Sequence, residues 1–304
     1  MIIPPYLKKG DTIGIVCPAG FMPRDKMQTC IDTLREWGYG VKLGATVESL
    51  SENYFSGTDT ERAEDLQRML DDRDVSAILC ARGGYGVSRI IDGLSFKKFR
   101  KRPKWIVGFS DITVLHSHVT ARFGIATLHA PMAAAFNDGG AESPYVLSLR
   151  TALEGLPADY ACAAHPYNQP GEAQGRLVGG NLTLLAHGIG TRSDIKTKNT
   201  ILFLEDVGEY LYNIDRMLLQ LRRNGMLDKL AGLIIGGFTD CKDTERPFGK
   251  AAYEIVRDAL PDGGYPVCFD FPVSHSAENL ALKVGLEHRL RVSADGVTLT
   301  EITE

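Results

Sequence analysis

At residues 104–113 the chain reads KWIVGFSDIT, an apolar segment that leads through one serine into a helix-forming segment. Residues 105–108 have the length and character of a buried strand, and helical periodicity begins at Asp111. A strand that passes directly into a helix is typical of α/β folds, in which parallel strands alternate with helices. The same stretch puts Ser110 on the tight turn between the two elements.

The segments around this stretch repeat the alternation up to about residue 130. Strands are predicted at residues 12–16, 41–43, 77–81, 105–108 and 126–129, and helices near 27–37, 58–70, 87–94 and 111–123. Thr58 with Glu61 three residues later is typical of a helix N-terminus closed by a capping box. We predict that residues 1–150 form an N-terminal domain with a doubly wound parallel sheet.

The second half of the chain has a different pattern. Residues 137–175 are rich in Pro, Gly and Ala and look irregular, so the domain boundary is predicted there. Apolar strands follow at 200–204 and 233–235 with a helix between them near 214–223. A hairpin is predicted around Asp295 and Gly296. We predict that residues 151–304 form a mixed α+β domain with antiparallel strands.

Composition disfavours several classes of protein. The 304 residues carry a formal net charge of −4 and contain no basic run, so no nucleic-acid partner is expected. No apolar run approaches the roughly 20 residues of a membrane span, and no membrane partner is expected. The first lysines follow a short apolar stretch, the reverse of a signal peptide, and this order favours a cytoplasmic protein.

The cysteines and histidines indicate neither a disulfide framework nor a metal site. The six cysteines lack C-x-x-C spacing, and Cys17 and Cys80 lie in apolar strand-like runs, as reduced core thiols do. His116 and His118 stand two apart on a predicted helix, so they point in different directions and cannot share a metal ion. We expect no metal and no cofactor.

Ser110 has two interpretations. Serine followed by aspartate is an ordinary helix N-cap, and Gly-Phe-Ser lacks the second glycine of the G-x-S-x-G nucleophile elbow. The alternative is a catalytic serine held on a sharp turn, with the helix N-terminus and the Asp111 amide stabilising an oxyanion.

The sequence RGGYG at residues 82–86 also follows a predicted strand and leads into a helix. One interpretation is a phosphate-binding loop, but it lacks the Lys-Ser/Thr of a P-loop, and Arg89 stands where G-x-G-x-x-G requires its last glycine. The other is that glycines let backbone amides approach a reacting carbonyl, which would supply a second oxyanion donor.

A nucleophilic serine needs a base, and the base needs an orienting acid. His275 is the best placed histidine because it lies in a polar loop after an apolar strand. His116 lies beside the buried stripe of its helix and is expected to be a hydrogen-bonded core residue, and His288 is expected at the surface.

The acid is best sought in residues 204–209, LEDVGE, where an apolar strand ends in carboxylates. Glu205, Asp206 and Glu209 are all available there, and the local pattern does not choose among them. A solvated acidic turn without catalytic role is the alternative.

The chain resembles the LD-carboxypeptidase family of serine peptidases in several motifs that occur in the family's order and spacing. They are GDTIG at 10–14, RGGYG at 82–86, GFSDIT at 108–113, GGNL at 179–182, LEDVGE at 204–209 and HSAENL at 275–280. The resemblance covers nearly the whole chain. It departs at Ser274 and Ser276, which flank His275 where glycines are usual, and at Ala130, where glycine is usual.

The resemblance implies a catalytic triad of Ser110, Glu205 and His275, with the amides of Gly84 and Asp111 as the oxyanion hole. It also implies a two-domain fold with the triad at the domain interface, and a homodimer. The implied reaction is removal of the terminal D-alanine from a muropeptide tetrapeptide during peptidoglycan recycling.

Two other functions remain open from the sequence. A microcin-immunity-type peptidase would cleave an acyl-sulfamoyl or aminoacyl-nucleotide conjugate, and such relatives carry an aromatic residue in a longer loop. Here the linker between the halves is short, and neither Trp37 nor Trp105 lies in a candidate lid. A non-catalytic ligand-binding α/β protein would need only a crevice, and the presence of all three triad residues disfavours it.

Overall fold

The computed structural model describes residues 1–49, 51–261 and 263–303. The chain forms two compact units, and the first comprises Met1–Leu156 together with Leu280–Lys283. The second comprises Pro157–Asn279 and Val284–Glu304. No sequence signal indicated the return of Leu280–Lys283 to the first unit.

The first unit alternates strands and helices. Its elements are β1 (Thr12–Val16), α1 (Gln28–Glu36), β2 (Gly40–Leu43), α2 (Asp59–Asp71), β3 (Val75–Cys80), α3 (Val87–Ile90), α4 (Lys97–Lys101), β4 (Trp105–Gly108), α5 (Thr113–Phe123), β5 (Thr127–His129) and α6 (Pro144–Leu153). The second unit and the returning segment contain β6 (Asp159–Cys162), β7 (Gly171–Asn181), α7 (Leu182–Gly188), β8 (Thr200–Val207), α8 (Leu211–Arg223), β9 (Gly232–Thr239), α9 (Ala252–Ala259), β10 (Val267–Cys268), β11 (Leu282–Val284), β12 (Glu287–Val292) and β13 (Val297–Glu301).

The six-stranded sheet of the first unit has the order β11-β5-β4-β3-β1-β2. The pairs from β2 through β1, β3 and β4 to β5 are all parallel. The chain moves outward from β1 in one direction to β2 and in the other to β3, β4 and β5. This reversal is the hallmark of a doubly wound sheet, and ligands bind beside it at the carboxyl ends of the strands. The predicted fold class is confirmed for this unit.

The seven-stranded sheet of the second unit has the order β10-β9-β8-β7-β12-β13-β6. The strands from β10 to β7 pair in parallel, and those from β7 to β6 pair antiparallel. β12 and β13 form the predicted hairpin, with Val292 opposite Val297. The prediction of a mixed domain with antiparallel strands is confirmed.

The helix that precedes β3 shows how local sequence sets an element boundary. Thr58 Oγ1 accepts a hydrogen bond from the Glu61 amide at 3.2 Å, and Glu61 Oε2 accepts one from the Thr58 amide at 2.7 Å. This is the predicted capping box at the start of α2. At the other end, the buried Lys104 ammonium donates to the carbonyls of Met69 and Asp72, which α2 leaves without intrahelical partners.

Two expectations were wrong. The stretch predicted as irregular contains α6, because Pro144 occupies the first turn, where its missing N–H is not needed, and Val146 and Leu149 are buried. His288 is fully buried instead of exposed, because it shares the inward face of β12 with Leu290. Among the described residues no helix is long and apolar enough to cross a bilayer.

Candidate active site

In the first unit, Ser110 stands on a strained turn at the carboxyl end of β4. The strand ends at Gly108, a 3-10 turn covers Ser110–Ile112, and α5 follows at Thr113. The φ of Ser110 is +63°, in the left-handed region that residues with a Cβ seldom occupy. Such strain clusters at functional sites and persists only where neighbouring structure holds it. The predicted strand, turn and helix are present, and the role of Ser110 as a nucleophile stays a prediction.

The residues beneath this turn hold it in place. Gly108 has a φ of +153°, and a Cβ there would lie 2.9 Å from Ile112 Cγ1. The Gly108 carbonyl accepts hydrogen bonds from His116 Nε2 at 2.8 Å and from the Ala130 amide at 3.2 Å. His116 is therefore the hydrogen-bonded core histidine that the sequence predicted. Ala130, one of the departures from the family pattern, contributes only its backbone to this contact.

The loop that follows β3, residues 82–86, is the glycine loop, and it runs directly against Ser110. A Cβ built at Gly83 would lie 2.8 Å from Ser110 Cβ and 3.0 Å from Ser110 Oγ, so any side chain at this position would collide with the serine. The Gly83 carbonyl accepts a hydrogen bond from the Gly20 amide at 3.0 Å, which ties the loop to the segment that follows β1. Gly84 has a φ of +97°, which favours glycine. The glycines thus allow the backbone near the predicted donors, Gly84 and Asp111, to approach the serine.

In the second unit, β8 carries Glu205 to a contact with His275. Glu205 is fully buried, and its Oε2 lies 2.5 Å from His275 Nδ1, across 70 residues of sequence. The parallel pairing of β7 with β8 places Asn181 opposite Glu205. A buried carboxylate bound to one imidazole nitrogen fixes the orientation of the ring and assigns its proton to that nitrogen.

The ionisation of this pair follows from burial and mutual contact. Burial raises the pKa of Glu205, and the hydrogen bond and charge of His275 oppose the rise. Burial lowers the pKa of His275, but the hydrogen bond and charge of Glu205 outweigh it, so the net pKa shift of His275 is upward. The carboxylate therefore favours the protonated imidazole, the state that a general base reaches when it accepts a proton.

Asp206 and Glu209 serve other partners. Asp206 accepts hydrogen bonds from Asn181 Nδ2 at 2.8 Å and from the Thr183 amide and hydroxyl at 2.9 and 2.8 Å. It thereby satisfies the Thr183 amide in the first turn of α7, as helix-capping carboxylates do. Glu209 is half-buried and accepts from Asn213 Nδ2 at 3.1 Å. Among the three candidate acids, the structure brings Glu205 to His275.

The loop around His275 is shaped by the two serines that replace the usual glycines. Ser274 Oγ and Ser276 Oγ lie 2.7 Å apart, and Ser274 Oγ donates to the Glu278 carbonyl at 2.9 Å. On the other side, a Cβ at Gly237 would lie 2.5 Å from Ser274 Cβ, so only glycine allows β9 to pass this close. The serine side chains supply turn-forming hydrogen bonds in this loop.

The predicted site residues are divided between the units. Ser110, Gly84 and Asp111 belong to the first unit, and Glu205 and His275 belong to the second. Within the residues that the structure describes, no group of three or more His, Cys, Asp or Glu side chains could hold a metal ion.

Sequence reasoning missed Arg62 and gave no role to Asn181. Arg62 is completely buried on α2 and donates to the Gly86 carbonyl at 3.1 Å, beside the glycine loop. A signal was available, because Arg62 precedes Leu66 by one helical turn and therefore lies on the buried stripe of α2. Asn181 was visible only as part of the GGNL motif, and its contact with Asp206 depends on the pairing of β7 with β8.

Comparisons with known proteins agree over most of the chain. Residues 13–130 match the N-terminal domain of LD-carboxypeptidases, and residues 174–290 match the C-terminal domain. A Bacillus subtilis protein named "Probable murein peptide carboxypeptidase" is 36% identical over 93% of this chain and 89% of its own length. The microcin C7 self-immunity protein MccF of Escherichia coli is 25% identical over 97% of this chain and 94% of its own length.

A solved structure extends the comparison to the fold. Muramoyltetrapeptide carboxypeptidase from Oxalobacter formigenes superposes with a TM-score of 0.85 at 28% sequence identity, over 96% of this chain and 99% of that protein. Both domains of the family are therefore matched, in sequence and in architecture. The chain belongs to the LD-carboxypeptidase family.

Proposed function

We propose that this protein is a serine LD-carboxypeptidase that removes the terminal D-alanine from muropeptide tetrapeptides. The observation that carries the proposal is the 2.5 Å contact between buried Glu205 and His275, because a serine nucleophile needs an oriented imidazole as its base. The strained turn at Ser110 and the murein and muramoyltetrapeptide substrates named for the relatives support the same reaction.

In the proposed mechanism, His275 Nε2 takes the Ser110 proton as the hydroxyl attacks the carbonyl between the L-centre of the diamino acid and D-alanine. Glu205 holds Nδ1 and stabilises the imidazolium that forms. The Gly84 and Asp111 amides stabilise the oxyanion of the tetrahedral intermediate. His275 then protonates the amine of D-alanine, which leaves, and water attacks the acyl-enzyme with His275 again as base.

The proposal includes a cytoplasmic role in peptidoglycan recycling and a homodimeric state. The family resemblance motivates both. Fractionation of cells followed by detection of the protein tests the first, and sedimentation analysis of the purified protein tests the second.

Incubation with a muropeptide tetrapeptide tests the activity itself, with mass spectrometry of substrates that carry diaminopimelate or lysine at the third position. We expect release of one D-alanine. Ser110→Ala is expected to remain folded and to lower turnover by at least ~10³-fold, since a triad acts as a unit. Near-normal turnover by folded Ser110→Ala would contradict the proposed nucleophile.

A parallel incubation with an aminoacyl sulfamoyl adenosine tests the second candidate, a microcin-immunity-type peptidase. The similarity to MccF over nearly the full length of both chains is the reason to test this substrate. Cleavage of this conjugate without release of D-alanine from either tetrapeptide would replace the proposed function by the second one. Cleavage of none of the substrates would favour a non-catalytic ligand-binding protein.

A further inference from the structure

The Asp111 carboxylate is buried beside the glycine loop and contacts its far end. Asp111 is 0% exposed, and its Oδ2 accepts a hydrogen bond from the Val87 amide at 2.8 Å. Burial raises the pKa of this carboxyl to about 6, and the amides of Val87 and Gly86 and the charge of Arg62 oppose the rise. The carboxyl is therefore ionised at neutral pH.

Arg62 holds the same peptide group from its other side. Its Nη1 donates to the Gly86 carbonyl at 3.1 Å and to the Pro18 carbonyl at 2.7 Å. The Gly86 carbonyl and the Val87 amide belong to one peptide bond, so a buried cation binds its oxygen and a buried anion binds its N–H. A Cβ at Gly86 would lie 2.7 Å from Arg62 Nη1, which explains why glycine occupies this position.

This peptide bond lies where the glycine loop ends and α3 begins, and the same loop carries Gly84, the predicted oxyanion donor. Gly84 lies two residues before Gly86, and Gly83 packs against Ser110. The other predicted donor is the amide of Asp111. The backbone amide of Asp111 is thus one predicted oxyanion donor, while its side chain binds the loop that carries the other donor, the Gly84 amide.

We propose that Asp111 acts through its side chain as a positioning residue: with Arg62 it clamps the Gly86–Val87 peptide and so sets the Gly84 amide relative to the Asp111 amide. The inference rests on the proposed function, because the clamp matters for catalysis only if these amides stabilise an oxyanion. Such donors act on the transition state far more than on bound substrate. Loss of the clamp should therefore lower kcat and leave KM nearly unchanged.

Asp111→Asn tests the clamp. The amide side chain keeps one acceptor oxygen but replaces the other with a donor and removes the charge beside Arg62. We expect kcat on a muropeptide tetrapeptide to fall by ~10–100-fold while KM changes by less than about threefold. Covalent labelling of Ser110 by a fluorophosphonate, which also places an oxygen in the oxyanion hole, should slow by a similar factor.

Asp65→Asn is the matched control. Asp65 is also a buried carboxylate of the first unit, and it accepts backbone hydrogen bonds from Ala45 and Thr46 at 3.0 and 2.9 Å. We expect both Asp65→Asn and Asp111→Asn to lower the thermal midpoint of unfolding, but Asp65→Asn should leave kcat within about twofold of the wild type. A loss that reflected only weakened folding would appear in both variants.

Equal kcat in Asp111→Asn and Asp65→Asn would overturn the inference. So would a loss of kcat/KM in Asp111→Asn that comes entirely from an increased KM. If Asp111→Asn fails to fold, Arg62→Lys tests the other half of the clamp. The shorter, compact ammonium cannot reproduce the planar guanidinium, whose Nη1 donates to the Gly86 and Pro18 carbonyls while its Nη2 donates to Asp59. Arg62→Lys should also lower kcat more than KM changes, and unchanged kcat would overturn the inference. Failure of the proposed function would be recognised separately: a folded Ser110→Ala variant that retains turnover would contradict the serine mechanism itself, whatever the effect of Asp111→Asn.

Discussion

Glu205 and Asp206 are sequence neighbours with different tasks. Glu205 contacts His275, whereas Asp206 binds Asn181 and the start of α7. Successive strand residues point to opposite sides, and β8 pairs with β7 in continuous register as far as Glu205. Only one of the two carboxylates can therefore face the histidine.

This division predicts unequal effects of removing each charge. Glu205→Gln should lower turnover on a tetrapeptide by ~10²–10⁴-fold, because the amide cannot stabilise the imidazolium and disturbs its tautomer. Asp206→Asn and Glu209→Gln should retain far more turnover, and Asp206→Asn should mainly lower stability through the cap of α7. Side-by-side steady-state kinetics check the order. A milder loss at Glu205 than at either neighbour would move the acid to the more sensitive position.

The residual activity of Glu205→Gln should also show a shifted pH profile. In the wild type, protonation of His275 removes the base as pH falls. Because the pKa of His275 is raised, the acid limb of kcat/KM should lie above 6.5, the ordinary pKa of histidine. Without the Glu205 charge, burial is the dominant influence on the imidazole, opposed by the charge of Asp206, and it lowers the pKa of His275. The acid limb should therefore move to lower pH, and an unchanged limb would contradict the pairing.

At the scale of elements, α5 and β5 both support the end of β4. His116 of α5 donates from Nε2 to the Gly108 carbonyl, and the Ala130 amide just beyond β5 donates to the same oxygen. Burial lowers the pKa of His116 to about 4, against the opposing effect of the Gly108 hydrogen bond. The histidine is therefore neutral in the folded protein down to acidic pH.

This depressed pKa makes the first unit sensitive to acid. The unfolded chain binds a proton at His116 near pH 6.5, but the folded chain does so only near 4, so stability is lost as pH falls through this window. Between about pH 7.5 and about pH 5 the loss at this site amounts to about 2 kcal/mol. His116→Gln, which keeps a donor for Gly108, should remove this loss. Urea unfolding of both proteins at the two pH values measures it, and an equal pH dependence would contradict the assignment.

At the scale of the whole molecule, each unit builds its own part of the candidate site. The first unit surrounds Ser110 with the glycine loop and the Asp111 side chain. The second unit pairs Glu205 with His275 through a β8 carboxylate and a loop that follows β10. The proposed chemistry thus needs only a hydroxyl, an imidazole, a carboxylate and backbone amides.

Activity of the whole enzyme is therefore expected to survive prolonged dialysis against EDTA. The proposed reaction activates its nucleophile with His275, so it requires no metal-bound water. Release of D-alanine by the dialysed and untreated enzyme, measured under the same conditions, checks this expectation. Loss of activity that zinc restores would point to a different carboxypeptidase mechanism.

Features that depend on near neighbours in the chain could be predicted from the sequence. The parallel strands of the first unit, the Thr58 capping box and the hairpin before Val297 all follow from local periodicity, capping and turn chemistry. The position of Ser110 between a strand and a helix follows from the same signals. These patterns act over a few residues, so the linear sequence contains them.

Features that depend on packing across the chain were decided only by the tertiary structure. The contact of Glu205 with His275 joins residues that are 70 apart in the sequence. It distinguishes Glu205 from Asp206 as the partner of the histidine, a choice that the strand pattern alone could not make. The burial of His288 and the return of Leu280–Lys283 to the first unit likewise depend on which strands become neighbours. The clamp on the Gly86–Val87 peptide needs α2, the glycine loop and the Ser110 turn to meet, because a buried ion is stable only where all its partners converge.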